Sequence, residues 1–200
     1  MPARAAAILA VRSVHWVAAM SQPDGSEIEP LPENLLREPL DFLFADHCRQ
    51  RALCDRLRRI ASHPPGLRGR AVVRQALAFL ERDLPLHHRD EECDLFPLLR
   101  RRCLPGDNLL DMLEILSAEH AASELAAASI AGHLRLILTD PVAVQAGLTA
   151  AVELFAAMQH RHLIWENVVV LPLARHRLKP TDLARMGRMM AERRHVQLPE

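Results

Sequence analysis

The chain has no excess of charge, no C-x-x-C pair, no uninterrupted apolar run of membrane length and almost no lysine. Its 25 basic residues are balanced by 25 acidic ones. No basic surplus invites nucleic acid, and no long run of one sign suggests a charged arm. Lys179 is the only lysine; the reliance on arginine reads as coding bias rather than function. Cys48, Cys54, Cys93 and Cys103 lack the pairing of a thiolate zinc knuckle. With 200 residues, half of them hydrophobic, the chain can build a core without a disulfide framework. Reduced thiols and a cytoplasmic location are the expectation, with Cys48 and Cys93 as packing residues. No apolar stretch reaches the ~18 residues that cross a bilayer, so no membrane partner is expected. No alternating strand pattern stands out either.

The first twenty residues contain Arg4, Arg12 and no acid. They resemble a weak targeting segment that Arg12 and His15 interrupt, and read better as an extension ahead of a start at Met20. Residues 21–36 hold Pro23, Gly25, Pro30 and Pro32, so 1–36 is expected to be extended or disordered.

From residue 37 the pattern is helical. Punctuation at His63-Pro64-Pro65-Gly66, Leu104-Pro105-Gly106-Asp107, Thr139-Asp140-Pro141 and Lys179-Pro180-Thr181-Asp182 divides it into helices over 37–62, 67–103, 107–138 and 141–176, then a short one over about 181–196. Asp140-Pro141 has a cap residue and a first-turn proline in helix-starting order. Pro85 predicts a kink or break near residue 84, and Pro97 and Pro172 predict a bend or a helix end. Short loops between long helices make neighbours antiparallel. The fold class is therefore all-α: an up-down-up-down four-helix bundle over 37–176, with a short C-terminal helix and tail in 177–200.

The apolar stripe of each long helix, read at steps of three and four, contains a histidine. Leu40, Phe44, His47, Cys54 and Leu57 form the first. The second runs Leu80, Leu84, His87, Glu91, Leu95. The third runs Leu113, Leu116, His120, Glu124, Ala127. The fourth runs Val152, Phe155, His162, Glu166, Val169. Residues four apart stand one above the other on a helix, so each His-Glu pair points into the core together. A buried, unpaired carboxylate costs several kcal/mol, and two facing carboxylates repel. No Lys or Arg shares the stripes near mid-bundle except Arg51, whose stem can reach solvent. A metal pair is the natural counter-charge. His88 and Glu92 turn ~100° away from their neighbours and read as surface or supporting residues.

The pattern also repeats. In each half a helix with a lone histidine, His47 or His120, precedes a helix with H-x-x-x-E and a later proline: His87, Glu91 and Pro97, then His162, Glu166 and Pro172. The reading is a pseudo-twofold site in which each half gives two imidazoles and one carboxylate. Glu91 and Glu166 then bridge two metals. Imidazole with carboxylate and no thiolate suits iron, manganese or zinc.

On His47, H87-x-x-x-E91 with Leu95-Phe96-Pro97, His120, and H162-x-x-x-E166 with Pro172, the chain resembles the hemerythrin-like, or HHE cation-binding, domain family over residues 37–176. The resemblance implies a four-helix bundle around a non-haem di-iron centre: two iron ions, ahead of manganese or zinc. It implies as partner a small diatomic ligand, dioxygen or nitric oxide, or peroxide; it names no protein partner. Members carry or sense dioxygen, respond to nitric oxide or redox stress, or hold iron. A catalase- or peroxidase-like enzyme is the alternative. The chain departs from the five-histidine oxygen carriers at Glu124, where they have a second histidine. As a seventh, anionic ligand Glu124 would favour ferric iron and redox sensing over reversible oxygen carriage. The other reading is a hydrogen bond from Glu124 to a neighbour.

Overall fold

A computed structural model describes residues 28–63, 69–140 and 147–198. The targeting or start-codon reading of residues 1–20 lies outside it, as does most of the Asp140-Pro141 helix start. Residues 33–36, expected to be extended, belong to a 3₁₀ turn over Glu33–Arg37 that buries Leu36.

Helix α1 is Pro39–Ser62. Helix α2, residues 70–102, runs without a break through Arg70–Ala78, Phe79–Asp83, Leu84–Asp90, Glu91–Leu95 and Phe96–Arg102. Helix α3 is Leu110–Thr139. Helix α4, residues 148–177, joins Leu148–Trp165, Glu166–Val170 and Leu171–Arg177. Helix α5 is Pro180–Arg193. The left-handed turns that the loops need fall on Asn108 and Gly147, residues that tolerate positive φ.

The chain stays helical through all three prolines, so the break expected near Pro85 and the ends expected at Pro97 and Pro172 do not occur. A proline inside an α-helix presses on the carbonyl four residues back and brings no N–H of its own. Here each proline follows a single wide, π-helical turn. The Leu84 N–H bonds to the Phe79 carbonyl, Phe96 to Glu91, and Leu171 to Glu166, five residues back rather than four. The wider turn relieves the clash, and the helix continues past the proline. Such turns cluster at functional sites, and two of these three begin at Glu91 and Glu166.

Cross-helix pairs show that the neighbours are antiparallel. Between α1 and α2, Arg49 reaches Asp83 and Arg56 reaches Gln75. Between α1 and α4, Asp41 meets Arg175 and Arg58 meets Glu153. Between α3 and α4, Glu119 meets Arg161 and Ser123 meets Gln159. In each pair the numbers rise on one helix as they fall on the other. The apolar interior is split in two. One cluster holds Leu43, Leu95, Phe96, Leu113, Leu116 and Val170. The other holds Leu53, Leu57, Leu84, Ala127, Val152 and Phe155. The histidine of every long helix lies in sequence between a residue of one cluster and a residue of the other, so a polar layer crosses the bundle between two apolar ends.

Helix α5 closes the first of those ends, burying Met186, Met190 and Ala191. Arg102 holds Asp182 through two bonds of 2.9 Å. The fully buried Asp90 takes Arg193 at 2.5 Å and Arg194 at 2.6 Å. Helix α3 also differs from expectation: it contains an 18-residue window of mean hydropathy 1.2, long and apolar enough by composition to cross a membrane. Outward-facing Ile115, Leu125 and Leu136 add apolar surface to this helix, while its inner face packs in the bundle.

Two glycines should respond in opposite directions. A Cβ on Gly187 would stand 2.3 Å from the Leu36 carbonyl oxygen, whereas one on Gly132 meets nothing within 4 Å. Gly187→Ala is expected to cost about 1–3 kcal/mol, lowering Tm by several degrees. Gly132→Ala, inside α3, should gain up to ~1 kcal/mol from helix propensity. Thermal unfolding followed by circular dichroism checks both.

Candidate metal centre

Six side chains from four helices meet in the polar layer. His47 comes from α1, His87 and Glu91 from α2, His120 from α3, and His162 and Glu166 from α4. All are buried, with Glu91 and Glu166 at 0 % exposure. Their donor atoms form two overlapping groups, His47-His87-Glu91-Glu166 and Glu91-His120-His162-Glu166, each within 4.8 Å. Both glutamates are common to the two groups. Glu166 turns Oε2 to His47 at 3.4 Å and Oε1 to His162 at 3.0 Å. Glu91 turns Oε1 to His47 at 3.7 Å and Oε2 to His87 and His120 at 3.3 and 3.2 Å.

Three observations show that these residues fit a pair of metal ions. The Nε2 atoms of His47 and His87 and all four oxygens of Glu91 and Glu166 are buried without a hydrogen-bond partner. So many buried polar atoms without partners call for cations, or protons in their place, to answer them. The separations also agree: donors at ~2.1 Å from one ion stand ~3.0–3.4 Å apart along the edge of an octahedron or tetrahedron. Finally, the Nε2 atoms of His120 and His162 face each other at 3.0 Å. Their Nδ1 atoms each hydrogen-bond a carboxylate, which places the ring protons at Nδ1. Two bare lone pairs at that distance need a cation or a proton between them.

Each Nδ1 atom faces an acceptor in a ring around the bundle, and all but that of His87 hydrogen-bond it. His87 Nδ1 on α2 stands 3.2 Å from Asp46 Oδ2 on α1. His120 Nδ1 on α3 donates to Glu92 on α2 at 2.7 Å. His162 Nδ1 on α4 donates to Glu119 on α3 at 3.0 Å. His47 Nδ1 on α1 donates to Asn167 on α4 at 2.8 Å. Each helix therefore supports the histidine of the next, and each Nε2 is turned inward. Such contacts fix the tautomer and raise the basicity of the ligating nitrogen. Of these four residues, sequence reading flagged Glu92 alone. The signal was present: every one is the immediate neighbour of a ligand, Asp46 and Glu119 just before a lone histidine, Glu92 and Asn167 just after a glutamate.

Glu124 corrects the inward reading of its stripe. Its side chain is 53 % exposed, belongs to neither group, and lies 3.3 Å from His88 Nδ1. The alternative reading, a hydrogen bond to a neighbour, describes it, and the argument for ferric iron from a seventh ligand falls with it. His88 is buried and stacks on His120 with ring centroids 4.3 Å apart. No cysteine belongs to either group. Beside His120 and His162, between His88, Ser123, Met158 and Gln159, the packing leaves no room for a water-sized molecule. A larger cavity of about 640 Å³, lined in part by Arg49, Arg89 and Arg194, reaches only Asp46 of the residues around the cluster.

At His87, His120, His162, Glu91 and Asp46 burial opposes charge, and the partners overcome it. His120 is desolvated, yet Glu166, Glu91 and Glu92 push it up to about 12. His87 is raised well above the usual imidazole value against its own burial by Glu91 and Asp46. His162 is raised against burial by Glu166. Glu91, also desolvated, is held well below the carboxylate range by His87, His120 and His47. Asp46 is held at about 2 despite burial by His87 and Arg49. The protein without metal thus neutralises its central carboxylates with imidazole protons.

Comparison with known proteins agrees with this geometry. A family model described as the hemerythrin HHE cation binding domain matches residues 38–174. A curated relative printed as an uncharacterized protein of Haemophilus influenzae is 28% identical over 176 residues, covering 84% of this chain and 97% of its own length.

Raised imidazole values fix the sign of a pH dependence. Below those values the imidazoles hold protons that an incoming ion must displace, so metal affinity falls as pH falls. Titration of metal-free protein with zinc at pH 7, in buffers of different ionisation heat, should show proton release. Apparent affinity should weaken about tenfold per pH unit for each proton displaced.

Proposed function

The chain belongs to the hemerythrin HHE cation-binding domain family, and from that premise we propose that it binds two iron ions and uses them to bind or sense a small ligand: dioxygen, nitric oxide or peroxide. The observation that carries this reading is the pair of glutamates shared between two histidine pairs. His47 and His87 would hold one ion, His120 and His162 the other, and Glu91 and Glu166 would span both. Iron in that place supplies redox chemistry and an exchangeable coordination position. The protein supplies the rest. The outer acceptors hold each imidazole in one tautomer and orientation. The two apolar clusters above and below exclude water. The packing beside His120 and His162 leaves no open space, so a large ligand is excluded there. Four imidazoles and two carboxylates, without thiolate, suit iron, manganese or zinc, and membership of the family puts iron first.

Turnover of peroxide is a second reading, and His88 favours it. Burial, then the charges of His120 and His87, bring its pKa down to about 2, so it is a neutral imidazole at neutral pH. It lies against His120, and its Nδ1 faces Glu124 at the protein surface. That arrangement links the cluster's edge to solvent through a group that can accept and pass a proton.

Freshly purified protein is expected to contain about two irons per chain and to show ligand-to-metal bands in the near ultraviolet that change reversibly with air or nitric oxide. Glu91→Ala and Glu166→Ala should each lose the iron and the bands while retaining helical content. Zinc alone, or a single iron insensitive to Glu166→Ala, would overturn the di-iron reading. Sustained oxygen evolution from peroxide, slowed in His88→Ala, would convert binding into catalysis.

A further inference from the structure

The two histidine pairs are equivalent in sequence but not in surroundings. Both imidazoles of the His120-His162 pair are backed by carboxylates, Glu92 at 2.7 Å and Glu119 at 3.0 Å. Of the His47-His87 pair, His47 is backed by the neutral amide oxygen of Asn167 at 2.8 Å. His87 is backed by Asp46 at the longer distance of 3.2 Å. The environments of those carboxylates widen the difference. Asp46 shares its charge with the buried guanidinium of Arg49, 2.5 Å away, which also holds Asp83 at 2.7 Å. Glu92 gives its other oxygen to the uncharged Ser117 hydroxyl at 2.9 Å. Glu119 meets Arg161 at 2.7 Å, but that arginine side chain is 63 % exposed, so water screens it. One half of the centre is therefore backed by two carboxylates that keep most of their charge. The other half is backed by an amide and by one carboxylate already matched to an internal cation.

We propose that the two metal positions are unequal: the position between His120 and His162 fills first and holds its ion more tightly, and Asn167 is the positioning residue that sets the difference. The inference rests on the di-iron reading above and concerns the loading of that centre. A carboxylate that accepts the Nδ1 proton lends negative charge to the imidazole and makes its Nε2 a stronger donor. A carboxamide orients the ring equally well but adds no charge. Asn167 thus retains the geometry of the outer ring at its fourth corner while withholding the charge that the other three corners carry. The sequence shows the same asymmetry once the ring is known. Asp46 and Glu119 precede the lone histidines alike, but Glu92 follows Glu91 where Asn167 follows Glu166.

The test is a calorimetric titration of metal-free full-length protein with ferrous iron under argon, repeated with zinc. Two cations sharing two carboxylates repel each other, so two separable steps in the wild type do not decide the matter; the variants do. Asn167→Asp should strengthen the weaker step about tenfold and leave the tighter one unchanged. Glu92→Gln, isosteric and at a partly exposed position, should weaken the tighter step by ~10–100-fold, bringing the two closer together. Asn167→Ala, which removes orientation as well, should weaken only the weaker step. Unchanged helical content by circular dichroism certifies each variant as folded. An Asn167→Asp protein in which the tighter step moves, or neither step does, overturns the proposal, as does a Glu92→Gln protein affected only in its weaker step. Uptake of fewer than two ions by the wild type would instead overturn the di-iron reading.

Discussion

Two carboxylates with no access to solvent, placed in the middle of an apolar bundle, are the constraint from which the rest of the structure follows. Glu91 and Glu166 cannot stand there as bare charges, because no lysine or arginine among the described residues pairs with them. Four imidazoles answer them in part. Those imidazoles are themselves desolvated, and the acceptors at their Nδ1 atoms turn their free nitrogens inward. The outcome is a layer whose chemistry is complete only when cations occupy it. The two apolar clusters keep the layer dry and give the helices the packing energy that a purely polar interior would lack.

Much of this was legible in the sequence because helical periodicity is a local property. The apolar stripes, the histidine on each of them, and the repeated His-Glu pairs can be read without coordinates. They correctly bring His47, His87, Glu91, His120, His162 and Glu166 to one place. What failed to show depended on geometry that residue spacing does not carry. Glu124 lies four residues after His120 just as Glu91 does after His87, yet it points outward. The stripe on α3 is narrow at that level, and Ser123 and Ala127 fill the inward positions. The prolines misled for a different reason. A proline forbids the ordinary turn but not a wider one, and the choice between a break and a wide turn depends on tertiary packing beyond it. Helix α5 did not show as a closing element because its buried residues, Met186, Gly187, Met190 and Ala191, are followed by Arg193 and Arg194, which look solvated until Asp90 and Asp94 are found opposite them.

Similarity to the Haemophilus influenzae protein over most of both chains, and the family match over the bundle, bear on the fold and on the capacity for metal. They do not distinguish the two halves of the centre. That distinction comes from the asparagine at position 167 and the guanidinium of Arg49, neither of which is a ligand. The internal repeat makes the halves alike in what they present to metal. The departures from the repeat, one amide in place of an acid and one buried cation, are where the halves differ in energy.

The ring of acceptors has a consequence for how such a protein can change. Because Asp46, Glu92, Glu119 and Asn167 each serve a histidine on a different helix from their own, no helix is self-sufficient. Exchanging any single helix for its counterpart from a divergent relative would disturb two contacts, and exchanging α1 and α2 together would also disturb two, those joining Glu92 to His120 and Asn167 to His47, while keeping Asp46 with His87. Substitutions around the centre should therefore be epistatic between helices rather than within them, with an adjacent pair of helices as the smallest unit that carries one of these contacts intact.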